Sequence, residues 1–345
     1  MDVDIRGIVV GFVAAAVVLA ALVWFVGVDE IVATFALLDA RYVALIALVG
    51  LLWLLAWAMA LRTVLAALGV HARAVPSFLL FAASTFANNV TPFGQAGGEP
   101  FSALVIARAT GSEYERSLAA VASVDSLNFV PSIALALVGL VYYLAVFTVR
   151  DGVLSILALV VALAIGVPVA AWFLWQRREA VESGLAGVIV FVLRPFGRVI
   201  PRFRSIRREA VKHRVAAFFH SIERVASNRR KLLVALSFSA LGWLLMCLAL
   251  WLSLFALGDA VPVAAVLIAV PVGTIASVTP LPGGLGGVEF ALVLLIVPTT
   301  GVSPATAGAA ALIYRGATYW LPTVVGAGAL ASLQGLSVTD RRRRL

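Results

Sequence analysis

The chain has 345 residues, 63% of them apolar and only 12% charged, against about 45–50% and about 25% in soluble globular domains. That composition excludes a soluble enzyme or binding module. It points to an integral membrane protein, because apolar runs of about 20 residues, enough to cross a hydrocarbon core of about 30 Å, recur along the chain. The net charge of +9 is no sign of nucleic-acid binding: 18 of the 26 basic residues lie in two stretches, 176–231 and 341–344, the excess expected of cytoplasmic segments of a membrane protein.

In chain order, the first predicted helix covers 7–27. Its apolar run is longer than a signal-peptide core and lacks a small-residue cleavage site before Asp29-Glu30, so a retained helix is expected. The connection 28–41 is acidic, and helix 43–68 follows. A stretch at 76–110 is broken in its middle by Pro92, Gly94, Gly97 and Gly98. Helix 117–147 comes next, then the short connection 148–152 and helix 153–175. The basic loop 176–231 holds 14 Lys or Arg against four acids. Within it Val211, Val215, Phe218, Phe219, Ile222 and Val225 recur at helical spacing. Two readings are open there: an amphipathic helix on the inner leaflet, or a cytoplasmic helical hairpin packed on itself. Helix 232–257 contains the single cysteine, Cys247, as a small apolar filler. The connection 258–262 carries only Asp259. A second broken stretch spans 262–300, and helix 305–334 precedes the arginine tail.

The expected fold is therefore an all-α polytopic bundle forming one membrane domain. It has about six full transmembrane helices plus two re-entrant broken-helix hairpins. Counting either hairpin as two crossings would leave helices of about 12 residues, too short to span. Six crossings place both termini and 176–231 in the cytoplasm of a multi-pass cell-membrane protein.

The chain also resembles itself. Thr91-Pro92-Phe93-Gly94-Gln95-Ala96-Gly97-Gly98-Glu99 answers Thr279-Pro280-Leu281-Pro282-Gly283-Gly284-Leu285-Gly286-Gly287-Val288-Glu289. Trp53-Leu54-Leu55 answers Trp243-Leu244-Leu245, and Ala67-Leu68-Gly69 answers Ala256-Leu257-Gly258. Asp125 follows Glu99 by 26 residues, as Arg315 follows Glu289. The leading helices of units 43–147 and 232–334 run in opposite senses, which makes an inverted repeat, an architecture that places transporter sites at the repeat interface. Glycine-rich breaks at membrane depth are tolerated where they are buried or line a wet cavity. Their half-helix N-termini suit an anion such as phosphate.

Four ionisable residues, Glu99, Asp125, Glu289 and Arg315, fall in apolar segments, and an intramembrane charge is a functional candidate by default. Each has a structural alternative. Glu99 and Glu289 can serve the N-termini of the second half-helices, and Asp125 and Arg315 can form an ion pair across the pseudo-twofold axis. Asn88, Asn89, Thr91 and Gln95 add polar groups to the first break and Thr279 to the second; Tyr314 flanks Arg315, with packing as its simpler role. No metal cluster or nucleotide-binding motif stands in the sequence, so no metal or cofactor is expected.

The motif Asn89-x-Thr91-Pro92-x-Gly94-x-x-Gly97-Gly98-Glu99, followed by Pro282-Gly283-Gly284-Leu285-Gly286-Gly287-x-Glu289 and Tyr314-Arg315, resembles the lysylphosphatidylglycerol synthase transmembrane family of flippase-like proteins, over nearly the whole chain. The resemblance implies lipid translocation. The cytosolic synthase domain of two-domain members has no counterpart here, so no synthase activity is carried over and a separate lipid-synthesising enzyme is an expected partner. One departure stands out: Asp125 is followed by Ser126 where the family pattern implies an arginine.

The expected function is a flippase, not an enzyme, that moves an anionic phospholipid or polyisoprenoid-linked lipid between leaflets through a polar midplane groove. Arg315 would hold phosphate. The alternatives are an ion- or proton-coupled transporter of a small solute and, further off, a lipid-modifying membrane enzyme. A lateral opening to lipid favours the first, and a sealed cavity the second.

Overall fold

The computed structural model describes residues 39–91, 95–147, 153–177, 208–279 and 281–343, with the single positions 17, 20 and 184. The expected helix 7–27, Gly94 and most of the basic stretch 178–207 lie outside the described residues. Every regular element described is helical, as the composition requires. Among the described residues, four segments are long and apolar enough to cross a membrane: Ala40–Ala67, Tyr114–Val146, Arg229–Ala256 and Pro282–Thr300.

Helix α1 covers Ala40–Ala67 and begins at Asp39, whose carboxylate accepts the Arg41 backbone N–H at 2.8 Å, satisfying one of the open donors of the first turn. Helices α2 (Ala74–Val90) and α3 (Gln95–Thr110) flank the first break. Helix α4 is Tyr114–Val146 and α5 is Val153–Gln176; α6 (Arg208–Ser227) leads into α7 (Arg229–Ala256). Helix α8 (Val263–Thr274) and α9 (Gly287–Thr300) flank the second break, which contains two 3₁₀ turns, Ile275–Val278 and Pro282–Gly284. Helix α10 (Pro304–Arg315) passes through a π turn, Gly316–Trp320, into α11 (Leu321–Arg343).

Helices α1 and α7 are each 28 residues long, about 42 Å at 1.5 Å per residue. Both end in Leu-Gly with the glycine at positive φ, 82° at Gly69 and 95° at Gly258. They pack along each other at the centre of the bundle. Trp57 lies at their crossing, with ring centroids 5.4 Å from Trp53 and 5.7 Å from Trp243. Its indole N–H donates to the Ser239 carbonyl at 3.2 Å, and that of Trp243 donates to the Asn128 carbonyl at 2.9 Å. Around this pair the broken elements exchange partners. Helix α2 packs along α11, while α8 packs along α4. The first half-helix of each sequence unit thus lies on the last helix of the other.

Two expectations need correction. The halves of the first broken stretch are 17 and 16 residues long rather than about 12, and Pro282–Thr300 reaches 19, so length does not exclude a crossing. The single helix expected over 305–334 is instead two helices joined by the π turn directly after Arg315; such wide turns recur at functional sites. The described helix of the basic stretch packs on the bundle. Val225 of α6 is 4% exposed and joins Leu61, Val64, Leu65 and Val121 in a secondary core, so α6 docks on the end of the bundle. Beside it Lys231 Nζ donates to the Ala66 carbonyl at 2.6 Å, placing a cation at the negative end of the α1 dipole.

Candidate functional site

Arg315 is the last residue of α10, only 8% exposed. A charge there requires compensation, since an unpaired buried ion is prohibitively costly. Its Nε donates to Glu289 Oε1 at 2.9 Å, and Nη2 donates to the Gly283 carbonyl at 2.8 Å. The guanidinium lies over the Tyr319 ring, 4.5 Å from the centroid. Glu289, 1% exposed, sits in the first turn of α9, and its Oε2 accepts the Gly286 backbone N–H at 2.7 Å. One carboxylate therefore serves both the helix N-terminus and the arginine.

The local sequence makes this possible. Gly283 has φ 54°, and a Cβ there would stand 2.3 Å from Tyr319 Cε2. Only glycine lets the backbone turn its carbonyl to Arg315 beneath the tyrosine ring. The tyrosine is fixed in turn by Asn89: its hydroxyl donates to the Asn89 carbonyl at 3.2 Å, while Asn89 Nδ2 donates to Tyr319 O at 3.3 Å and Thr323 Oγ1 at 2.8 Å. The end of α2 is thereby tied to the π turn.

In the other half, the side chains of Glu99 on α3 and Asp125 on α4 are hydrogen-bonded to each other. Such a bond needs a proton shared between two carboxyls, which also spares the interior a second negative charge. The alternative of an ion pair between Asp125 and Arg315 is not realised. Arg315 pairs within its own unit, because the first turn of α9 brings Glu289 to it.

Between the halves lies a cavity of about 320 Å³. Asn88, Asn89, Asp125, Asn128, Ser277, Arg315 and Gly283 contribute to its wall, with Trp53, Trp57 and Trp243 along one side. Phe129, Ile275 and Val278 also line it, and these are exposed on the outer surface, Val278 at 71%. The cavity is therefore open at that rim rather than sealed. No described residue partners Nη1 of Arg315.

Of the residues predicted as substrate-binding, Asn88, Asn89, Asp125 and Arg315 line the cavity. Glu99 and Glu289 stand behind them as partners. Thr91 Oγ1 donates to the Ala87 carbonyl at 2.7 Å. Tyr314 is 2% exposed inside the main core, which makes it packing. Thr279 lies against Gly287 and does not reach the cavity wall. Among the predicted break glycines, Gly97 and Gly98 fall in the first turn of α3 and Gly287 opens α9, whereas Gly283, Gly284 and Gly286 have positive φ. The side chain of Gln95 lies outside the described residues. Asn128, Ser132, Ser277, Thr318 and the tryptophans were not singled out in sequence as lining residues. Asp125, Asn128 and Ser132 do share the i, i+3, i+7 face of one helix, and that spacing is the signal that could have found two of them. Among the described residues no group of His, Cys, Asp or Glu could hold a metal ion.

Residues 8–326 match the family described as the lysylphosphatidylglycerol synthase TM region. Two proteins of Methanothermobacter thermautotrophicus, both named UPF0104 membrane protein, are similar. One is 26% identical over 97% of this chain and 96% of its own length, the other 27% identical over 93% and 92%. A UPF0104 membrane protein of Pyrococcus horikoshii is 22% identical over 88% of this chain and 91% of its own.

Proposed function

This chain belongs to the lysylphosphatidylglycerol synthase TM-region family, and from that premise we propose that it is a lipid transporter. It moves an anionic phospholipid or polyisoprenoid-linked lipid between leaflets. The observation that carries this reading is Arg315. It is held rigidly by Glu289, Gly283 and Tyr319, yet keeps Nη1 on a cavity that opens toward lipid past Phe129, Ile275 and Val278. A guanidinium with free N–H groups is the geometry that grips phosphate oxygens. The acyl or prenyl chains stay in the bilayer while the headgroup crosses. The lateral rim favours a lipid over a free solute, which needs a closed cavity, and the site acts as a carrier rather than an enzyme.

The inverted repeat belongs to the same proposal. The equal 26-residue spacing of Glu99–Asp125 and Glu289–Arg315, the matching helix ends at Gly69 and Gly258, and the exchange of α2 and α8 between α11 and α4 all support two units related by a pseudo-twofold axis. Rocking of one unit against the other would alternate access, with the two breaks as re-entrant hairpins. Both termini and the basic stretch 176–231 lie in the cytoplasm by basic-residue excess, and a separate enzyme supplies the lipid.

The test is transport in proteoliposomes containing a fluorescent anionic phospholipid, with an impermeant reductant reporting the outer leaflet. Protein-dependent loss of protection that disappears in Arg315→Lys supports the reading. Transport unchanged by Arg315→Lys refutes the role of Arg315. No protein-dependent movement of any lipid refutes the function.

A further inference from the structure

The two sequence units fill one equivalent position with opposite chemistry. The second unit has Arg315 26 residues after its glutamate, and it pairs with Glu289 at 2.9 Å. At the same step the first unit has Asp125, hydrogen-bonded to Glu99. A guanidinium balances Glu289; in the first unit that task falls to a proton. Asp125 is the enclosed member of the pair, and its Oδ2 is buried without meeting a donor. A ligand for an atom with no open space beside it must be as small as a proton. Nothing there offsets a negative charge, so Asp125 keeps its proton and donates it to the Glu99 carboxylate. Glu99 is partly exposed near the start of α3, which gives protons a way in.

Among the described residues no fixed cation takes the proton's place. Helices α2, α5 and α8 each pack on α3 or α4 and carry no ionisable side chain. On α1, Arg62 donates to the Ala72 carbonyl, and Arg41 and Tyr42 stand in the first turn. On α7, Lys231 is bonded to Ala66, Arg229 and Arg230 are exposed, and Cys247 lies in the main core. On α6, His220 pairs with Glu223, and Arg224 is exposed. On α3 and α4 themselves, Arg108 is exposed and Glu113 pairs with Arg116. Tyr114 donates to the Pro100 carbonyl, Glu115 lies in the first turn of α4, and Tyr142 and Tyr143 lie near its end. Across the cavity Arg315 is held by Glu289. Neither carboxyl of the pair feels a charge other than its partner's.

We propose that Glu99 and Asp125 form the proton site of a symporter, which takes up a second proton as an anionic headgroup binds at Arg315. This rests on the lipid-transport reading and supplies its coupling ion. The charges balance. With one proton the pair carries one negative charge, and Arg315 together with Glu289 carries none. A phosphodiester brings one more negative charge into a cavity whose wall Asp125 and Arg315 share. A second proton, on Glu99, restores the starting charge in a low-dielectric interior where the excess would be costly. That proton moves from water to the Glu99 carboxylate and returns to water on the other side with the lipid.

The test is binding of short-chain phosphatidylglycerol, a phosphodiester of fixed charge, to the purified full-length protein in detergent over about pH 5–8. One proton taken up per lipid makes affinity rise by up to about tenfold for each unit fall in pH. A pH indicator in weakly buffered solution should record the same uptake. Glu99→Gln with Asp125→Asn keeps a hydrogen-bonded pair that cannot titrate. Uptake should vanish there, and affinity should stay near its low-pH value at every pH. The three histidines, which titrate in the same range, remain in that variant as an internal control. Should the double variant fail to fold, Glu99→Gln alone, at the partly exposed member, must still abolish the uptake. Binding without proton uptake, or a pH slope that the variants retain, overturns the proton site while the transport reading stands. Binding absent at every pH overturns it together with the reading of Arg315 as an anionic-lipid site.

Discussion

Arg315 and Glu289 form a buried ion pair at 2.9 Å whose two members also hold the backbone, Glu289 at Gly286 N and Arg315 at Gly283 O. Structure and substrate binding thus converge on one arginine, and truncating it removes both at once. Removing one member of a buried pair leaves the other as an uncompensated charge, at about 3–5 kcal/mol, whereas replacing both by apolar groups is often neutral.

The first prediction follows. Arg315→Met alone should lower stability by about 3–5 kcal/mol, read as a drop in the thermal transition of the purified protein. The double variant Arg315→Met with Glu289→Met should recover most of that loss. Transport should be absent in both. A double variant that transports normally would make the pair purely structural.

The second concerns Gly283. Alanine there meets Tyr319 Cε2 at 2.3 Å and must also adopt φ 54°. Gly69 has φ 82° but open space around it. Gly69→Ala should therefore cost about 1 kcal/mol, the strain of the left-handed backbone alone. Gly283→Ala should cost about 2–4 kcal/mol, the same strain plus overpacking. Comparable melting shifts for the two would mean that Tyr319 does not lie fixed over the glycine.

The third concerns the crossing of α1, α4 and α7. Ser239, fully buried, donates to Asn128 Oδ1 at 2.5 Å. Ser239→Ala leaves that amide oxygen buried without a donor and should cost about 1–3 kcal/mol. Leu241→Ala, on an exposed stretch of the same helix, should cost much less, within about 0.5 kcal/mol. Denaturant titration of the two variants provides the comparison.

The fourth concerns orientation. Lys231 at the start of α7 bonds Ala66 at the end of α1, so the connection containing His71 shares a side with the basic stretch, and Asp259 at the far end of α7 faces the other. Cys247 is buried and can be replaced by alanine to clear the background. In intact cells an impermeant thiol reagent should then label Asp259→Cys and leave His71→Cys unlabelled. The opposite pattern would invert the topology.

Hydropathy placed helices 43–68, 117–147, 153–175 and 232–257 within about three residues of where they lie, and proline and glycine marked both breaks, because transfer into hydrocarbon and backbone freedom are properties of short segments. The equal spacing of Glu99–Asp125 and Glu289–Arg315 was legible for the same reason. Which charges meet was not. Asp125 and Arg315 occupy equivalent positions and carry opposite signs, so sequence alone allowed a pair across the axis; the N-terminal parts of α3 and α9 instead bring each to the glutamate of its own unit. The π turn after Arg315 and the seating of Tyr319 over Gly283 likewise depend on which helices abut. A hydrogen bond or ion pair is a relation between distant segments, and only the packing of α2 on α11 and α8 on α4 decides which groups arrive together at the cavity.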